Sequence, residues 1–477
     1  MKRFDVIVIG TGFAGSILAW VLAKSGRKVA LIDTVNHPRF AIGESSTPLA
    51  DKLLRRLGET YQLQPLIDLS TYGQWQASYP ELPCGRKRGF AYYCHHRGER
   101  FSDPVPRSRS MLVAASASND AADTHWYRPG MDHFLFQRAT DEGATAFVPH
   151  HVTQIEPADR WGDWNQVHLD DGQVLSGRFV VDATGRSSVM HRLLGTADLT
   201  ATLRTKTYCS YAHFRNVGSF VDVLTPQQTA GDPFHGDDSA QHHLVDGGWI
   251  WMLRFNHDIT SVGFVSTEAS AGGLLERIVA SYPSLADVMR GSERVEPAIG
   301  TSDLSHIQRF VDPGQQATCW MLPTAIATVD PLHSTGIAHA LAGVTRIAEA
   351  ILGVRDDGFA QRYRGDVLAE VRFLDRVIST AYRTMPDFQA FSFACMIYFA
   401  GAIGSEERLD AGETIRRLWS ADSGAFVRTA LLCCHRLESP GGRESGMDWI
   451  RDKMRPFNTA GLFQRDCEAR YAYTATK

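Results

Sequence analysis

At 477 residues the chain exceeds what one hydrophobic core usually serves, which implies two packed domains or one large α/β domain with insertions. Hydrophobic residues make up 44% and charged residues 21%, ordinary for a folded protein, and a formal charge of −4 excludes a general nucleic-acid binder, whose surface would be basic. The eight cysteines are scattered with no CxxC pair, so neither a zinc site nor a disulfide framework is indicated; free thiols suggest a reducing compartment. The start of the chain has no leader-like pattern, and the expected location is cytoplasmic.

Phe4-Asp5-Val6-Ile7-Val8-Ile9 is a short run of mostly β-branched residues, the pattern of a buried parallel strand. Gly10-Thr11-Gly12-Phe13-Ala14-Gly15 follows, then a helix from Ser16 to Lys24 closed by Gly26, then a second strand from Lys28 to Asp33. Each position has a physical task. Gly10 permits the tight turn, Gly12 lets the backbone approach a pyrophosphate, and Gly15 lets the helix pack close to the strand. The helix start at Phe13 and Ala14 offers N–H groups and a positive dipole end to phosphates. Asp33 suits the ribose hydroxyls. Strand, glycines, helix, strand and acid in that order predict a dinucleotide site.

Arg39 to Pro48 is a polar loop, and Ser46 or Thr47 before Pro48 is a good start for a helix over Leu49–Leu57. Gly58 to Cys84 reads as irregular. Arg86-Lys87-Arg88-Gly89 reads as a basic turn feeding an aromatic strand, and Lys87 is the only lysine between Lys52 and Lys206. Arg128-Pro129-Gly130-Met131-Asp132 opens a helix whose dipole suits Asp132. Val152 to Leu175 alternates around the Asp170-Asp171-Gly172 turn, as a hairpin or meander does. Phe179-Val180-Val181-Asp182-Ala183-Thr184-Gly185 is another buried strand with a turn at its end. Thr200 to Pro297 is β-rich and aromatic, with Trp249 and Trp251 on one face of a strand. In Asp330-Pro331-Leu332-His333-Ser334-Thr335-Gly336-Ile337, the Ser-Thr-Gly turn at a helix start presents backbone N–H groups to an anion. His333 reads either as an acid or base near neutral pH or as a packed core residue. Phe359 to Lys477 reads as mostly helical. Its apolar stretch Phe391–Ile403, about 13 residues, is too short to span a bilayer, so no transmembrane segment is expected.

Gly43-Glu44-Ser45-Ser46-Thr47-Pro48, the Asp182–Gly185 turn, Trp249-Ile250-Trp251 and the run from Asp330 to Ile337 resemble, in order, motifs of the flavin-dependent halogenases, a branch of the FAD-dependent monooxygenases. The resemblance covers roughly residues 1–350. It implies an α/β fold: an FAD-binding Rossmann-like domain of the p-hydroxybenzoate hydroxylase/halogenase type, interleaved with a β-sheet substrate domain, plus a C-terminal helical region. The implied parts are 1–200 for FAD, with inserted substrate-domain segments at about 60–120, then 201–300 for the substrate sheet, 301–355 for the FAD-domain return and 356–477 for the helices.

The resemblance also implies cofactors, partners and roles. FAD would be held by Gly10, Gly12, Phe13, Ala14, Gly15, Asp33, Arg39, Gly43, Glu44, Ser45, Arg128, Asp182, Ala183, Gly185, Asp330, Gly336 and Ile337. Chloride or bromide would sit at Ser334, Thr335 and Gly336, and substrate beside Trp249 and Trp251. Lys87 and His333 are the candidate catalytic side chains, and no metal is implied. A flavin reductase would supply reduced FAD, and an electron-rich aromatic substrate, free or carrier-bound, would be halogenated. Departures from the family pattern leave a monooxygenase or dehydrogenase on the same fold as the alternative. Leu253-Arg254 stands where the family has Ile-Pro, Pro323-Thr324 where it has Gly-Asp, His333 where tryptophan halogenases have glutamate, and Lys87 lies farther from Glu44 than in the family.

Overall fold

Lys2–Ile9 runs between Val29–Ile32 and Val174–Asp182, parallel to both, inside a seven-stranded sheet. Thr145–Phe147 continues the sheet beyond Val29–Ile32, and Cys319–Met321 lies parallel to the end of Val174–Asp182. The first half of that long strand pairs antiparallel with Asn165–Leu169, which pairs with Val152–Glu156, completing the expected meander. Val6, Ile7 and Val8 are fully buried, as a strand covered on both faces requires. The helix Phe13–Lys24 packs against Arg128–Asp141 and Thr335–Leu352. This computed structural model describes residues 2–101, 107–269, 274–296, 302–304, 306–439, 443–464 and 469–472. Cys467 and Pro297 lie outside the described residues, and the seven described cysteines are free.

A nine-stranded sheet gathers distant parts of the chain. Tyr208–Arg215, Ile259–Ser266, Gly248–Arg254, Ala240–Val245, Gly89–Cys94 and Ser110–Ala114 lie side by side in that order. Glu293–Glu296 and Ser302–Leu304 pair with Tyr208–Arg215, and Arg470–Tyr471 with Ser110–Ala114. Alternation divides the sheet between two cores. Trp249, Trp251 and Leu253 join the large core shared with the flavin-type sheet. Ile250 and Met252 face a second core with Leu275, Ile278 and Leu285 from two short helices.

Two local expectations are corrected, and one buried helix is longer than its apolar stretch suggested. Gly58 to Cys84 is not irregular: Gln64–Asp68 and Tyr72–Ser78 are helices too short to show a periodicity. The Thr71 hydroxyl caps the second by accepting from Gln74 N–H, and Trp75 anchors it, fully buried with its indole donating to Leu82 O at 2.9 Å. Arg86-Lys87 is not a surface turn but the end of a strand, Cys84–Lys87, paired antiparallel with Asp123–Trp126, and Lys87 is fully buried. The apolar stretch at 391–403 is the middle of a helix, Phe388–Asp410, started by the Asp387 carboxylate. By length and composition this 23-residue helix is able to cross a membrane, and 83% of its apolar window is buried inside the fold. Among the described residues it is the one helix of that kind.

Candidate active site

A cavity of about 890 Å³ opens where the central strands end, and its wall continues onto the aromatic face of the nine-stranded sheet. Gly10 has φ +105°, and a Cβ there would lie 2.6 Å from the Ala183 carbonyl. A Cβ on Gly15 would lie 2.0 Å from the Gly10 oxygen, so this glycine lets helix and turn touch and does not itself reach the cavity. Gly12 is different: a Cβ would meet nothing closer than 3.7 Å, so its face opens into the cavity between Arg39, Arg128 and Asp132.

Charged side chains fix this cradle. Asp33 accepts from Thr11 N–H at 2.7 Å, the Thr11 hydroxyl at 2.8 Å and Arg39 at 2.9 Å. Burial works against its charge, but Arg39 and the Thr11 and Thr34 donors outweigh it and hold the carboxyl below its usual range. Arg128 donates to both Asp132 oxygens at 2.7 and 2.8 Å and to the carbonyls of Ile42 and Gly43 at 2.7 and 3.1 Å, tying the polar loop to the helix. Thr47 accepts from Ala50 N–H and Pro48 occupies the first turn, so the loop ends as a capped helix start. Ser45 Oγ and Arg39 Nε are buried with no partner among the described residues. Buried polar groups left unpaired are costly, and two of them on a cavity wall suit a polar ligand such as the flavin dinucleotide.

At the far end, Ser334 adopts φ +54° and its N–H donates to Pro331 O at 3.0 Å, which turns the chain into the helix Thr335–Leu352. The leading N–H groups of that helix have no carbonyl one turn back, and Gly336 leaves their approach open. His242 lies beside this turn. It stacks between Tyr92 and Trp249, and its Nε2 lies 3.1 Å from Leu332 O. Burial, and then the charge of Lys87, push the His242 imidazole down to about 3.

Asp330 accepts from the Thr207 hydroxyl, Leu332 N–H and the Tyr382 hydroxyl, and Tyr382 in turn accepts from the Trp249 indole at 2.8 Å. Burial pushes the Asp330 carboxyl up to about 7, against the downward pull of these donors. A raised folded-state value means stability that is complete below the unfolded value of 3.8 and lost as pH climbs through about 7. Asp330→Asn is therefore expected to flatten the fall in melting temperature across that range, as thermal melts at stepped pH would record.

Most of the predicted residues meet at one cavity. Gly10, Gly12, Phe13, Ala14, Asp33, Arg39, Gly43, Glu44, Ser45, Arg128, Ala183, Gly185, Asp330, Ile337, Trp249 and Trp251 line it, with Ser334, Thr335 and Gly336. Four do not. Gly15 acts through packing. Asp182 is buried behind the wall, accepting from Thr184 N–H and Met190 N–H, and so pins the Ala183–Gly185 turn. His333 stacks on Tyr398 with ring centroids 4.2 Å apart, and burial pushes its imidazole down to about 3. Lys87 lies behind the loop, its ammonium donating to Ser46 O and standing 4.0 Å from the Phe90 ring centroid. Thr324 reaches the wall even though Gly-Asp is missing there. His242, His339 and Cys209 also line the cavity, and sequence reading missed them because nothing local separates them from ordinary core residues.

A dinucleotide cradle that opens directly onto an apolar, aromatic chamber is the arrangement of an FAD-dependent oxidoreductase. Residues 100–385 match the tryptophan halogenase family, and residues 8–53 match the NAD(P)-binding Rossmann-like domain. The chain belongs to the tryptophan halogenase family, whose members are flavin-dependent. It is 25% identical over 426 residues to the monodechloroaminopyrrolnitrin halogenase PrnC of Pseudomonas fluorescens, covering 86% of this chain and 73% of that one. It is 26% identical over 376 residues to the tetracycline 7-halogenase of Kitasatospora aureofaciens, covering 75% of this chain and 65% of that one. The crystal structure of halogenase PltM in complex with phloroglucinol and FAD superposes with a TM-score of 0.85 at 22% identity, covering 99% of both chains.

Proposed function

We propose that this protein uses reduced FAD, oxygen and chloride or bromide to halogenate an electron-rich aromatic substrate. The observation that carries the reading is the continuity of one cavity. The glycine cradle, the Ser334-Thr335-Gly336 helix start and the Trp249 and Trp251 faces share a wall, which supports a site where flavin, halide and aromatic ring would be within reach of one another. Bound FAD would supply the oxygen-derived oxidant of halide. Gly12 with the Phe13–Lys24 helix start would take its pyrophosphate, Asp33 and Arg39 its ribose, and Ser45 its polar edge. The helix start at Thr335 would hold the halide, and Lys87 would steer the oxidised halogen from behind Ser46. In this reading residues 1–200, apart from substrate-domain segments inserted at about 60–120, and 301–355 carry the flavin, 201–300 most of the substrate sheet and 356–477 the covering helices. The names of the relatives, and the phloroglucinol held by PltM, support an oxygenated or nitrogen-bearing aromatic ring. A separate flavin reductase in the cytoplasm is the proposed source of electrons.

The test is turnover of purified protein with FAD, a generic flavin reductase, NADH, oxygen and bromide. Indoles, phenols and pyrroles are offered free and tethered to a carrier protein. A bromine isotope doublet in the product is the expected result. A gain of one oxygen atom without halogen would instead make the protein a hydroxylase.

A further inference from the structure

Glu44 stands on the cavity wall and is 3% exposed, and its Oε1 lies 2.6 Å from Nε2 of His213. On the other side of the imidazole, Nδ1 lies 3.2 Å from Oε2 of Glu296, whose side chain is 30% exposed. The three side chains come from the polar loop, the strand Tyr208–Arg215 and the edge strand Glu293–Glu296, and together they reach from the cavity to solvent. Aromatic rings enclose the imidazole: Phe40 edge-on at 5.0 Å, Tyr127 at 5.7 Å and Phe255 at 5.9 Å. A second carboxylate is more than a simple buried ion pair needs, and it lies on the solvent side.

We propose that Glu44, His213 and Glu296 form a proton path between the flavin cavity and solvent. It rests on the reading of this cavity as the FAD site. The titratable and charged groups facing the ring are Glu44 from the loop, Glu296 from the edge strand, the Tyr127 hydroxyl, His257, and Arg215 at the end of its own strand. Burial disfavours charge on His213, but the two carboxylates override it and raise the imidazole to about 9, so at neutral pH it is an imidazolium donating at both nitrogens. His257 is pushed down by burial and by His213, so it does not compete for the proton.

Delivery breaks the Nε2–H bond and forms an O–H bond on Glu44, which passes that proton to an acceptor in the cavity. The ring is left neutral, holding its proton on Nδ1. A proton released later in the cavity returns through Glu44 to the bare Nε2 and restores the imidazolium, whose Nδ1 proton exchanges with solvent through Glu296, so inward and outward transfers alternate with no rotation of the ring. His213 and Glu296 are positioning and relay residues, since neither lines the cavity.

The experiment is stopped-flow oxidation by oxygen of reduced, FAD-loaded wild type, His213→Gln and Glu296→Gln at stepped pH, with the FAD dissociation constant of each measured first. Glu296→Gln lies at a sheet edge and guards against a His213 variant that fails to fold. The expected result is unchanged FAD affinity, with the bend in the plot of reaction rate against pH displaced by about one pH unit or more in both variants. A purely structural role would lower affinity and leave the bend in place. If wild type binds no FAD, the cofactor reading and the path fall together. If all three bind FAD and their curves superimpose, the path alone is overturned.

Discussion

Lys87→Met is expected to cut halogenation by about two to four orders of magnitude, the usual share of a positioned proton or halogen donor, while FAD still binds and is still reduced. The choice of methionine matters. Lys87 is fully buried in the ribbon of Cys84–Lys87 and Asp123–Trp126, in register with Asp123. Truncation to alanine would open a cavity costing about 2–5 kcal/mol and would confuse folding with function. Methionine keeps the volume and removes the ammonium that donates to Ser46 O. That loss alone leaves a carbonyl unpaired, a stability cost of about 1–3 kcal/mol. The discriminating measurement is product formation by mass spectrometry beside an FAD titration on the same sample. A variant that still brominates at the wild-type rate would reduce Lys87 to a buried structural cation.

Gly15→Ala is expected to weaken FAD binding by about 100-fold. The added methyl would lie 2.0 Å from the Gly10 oxygen and 2.9 Å from the Ala183 Cβ, both parts of the turn that shapes the cradle. Helix and turn must part by about an ångström, and overpacking of this kind costs about 1–3 kcal/mol or more. Most of that falls on the phosphate site, so a loss of about 100-fold in FAD affinity is the expected reading in a fluorescence titration. Gly365→Ala is the control, because a Cβ there meets nothing within 4 Å and the residue is off the cavity wall. It should bind FAD as wild type does. Equal FAD affinity for Gly15→Ala and wild type would show that the helix tolerates displacement.

The residues that were legible in the sequence are those whose function is local. Gly10 and Gly15 announce a turn and a close packing that depend only on a missing side chain. Thr47 before Pro48 announces a capped helix, and the alternation of Trp249 and Trp251 announces one face of a strand. Sequence reading failed where the outcome depends on what the fold brings alongside. His333, which the sequence singled out, and His242, which it did not, are both pushed down to about 3 by burial, one behind the wall and one on it. His213 goes the other way because Glu44, 169 residues away, lies against it.

By itself the sequence determined the dinucleotide strand-turn-helix, the order of the flavin motifs and the helix start at Thr335, because each is set by backbone geometry over a few consecutive residues. Only the tertiary structure decided that Lys87 is a buried strand residue, that Asp330 is joined to Trp249 through Tyr382, and that Glu44 lies against His213. Burial and distant partners set protonation and contact, and neither is written in the spacing of neighbouring residues.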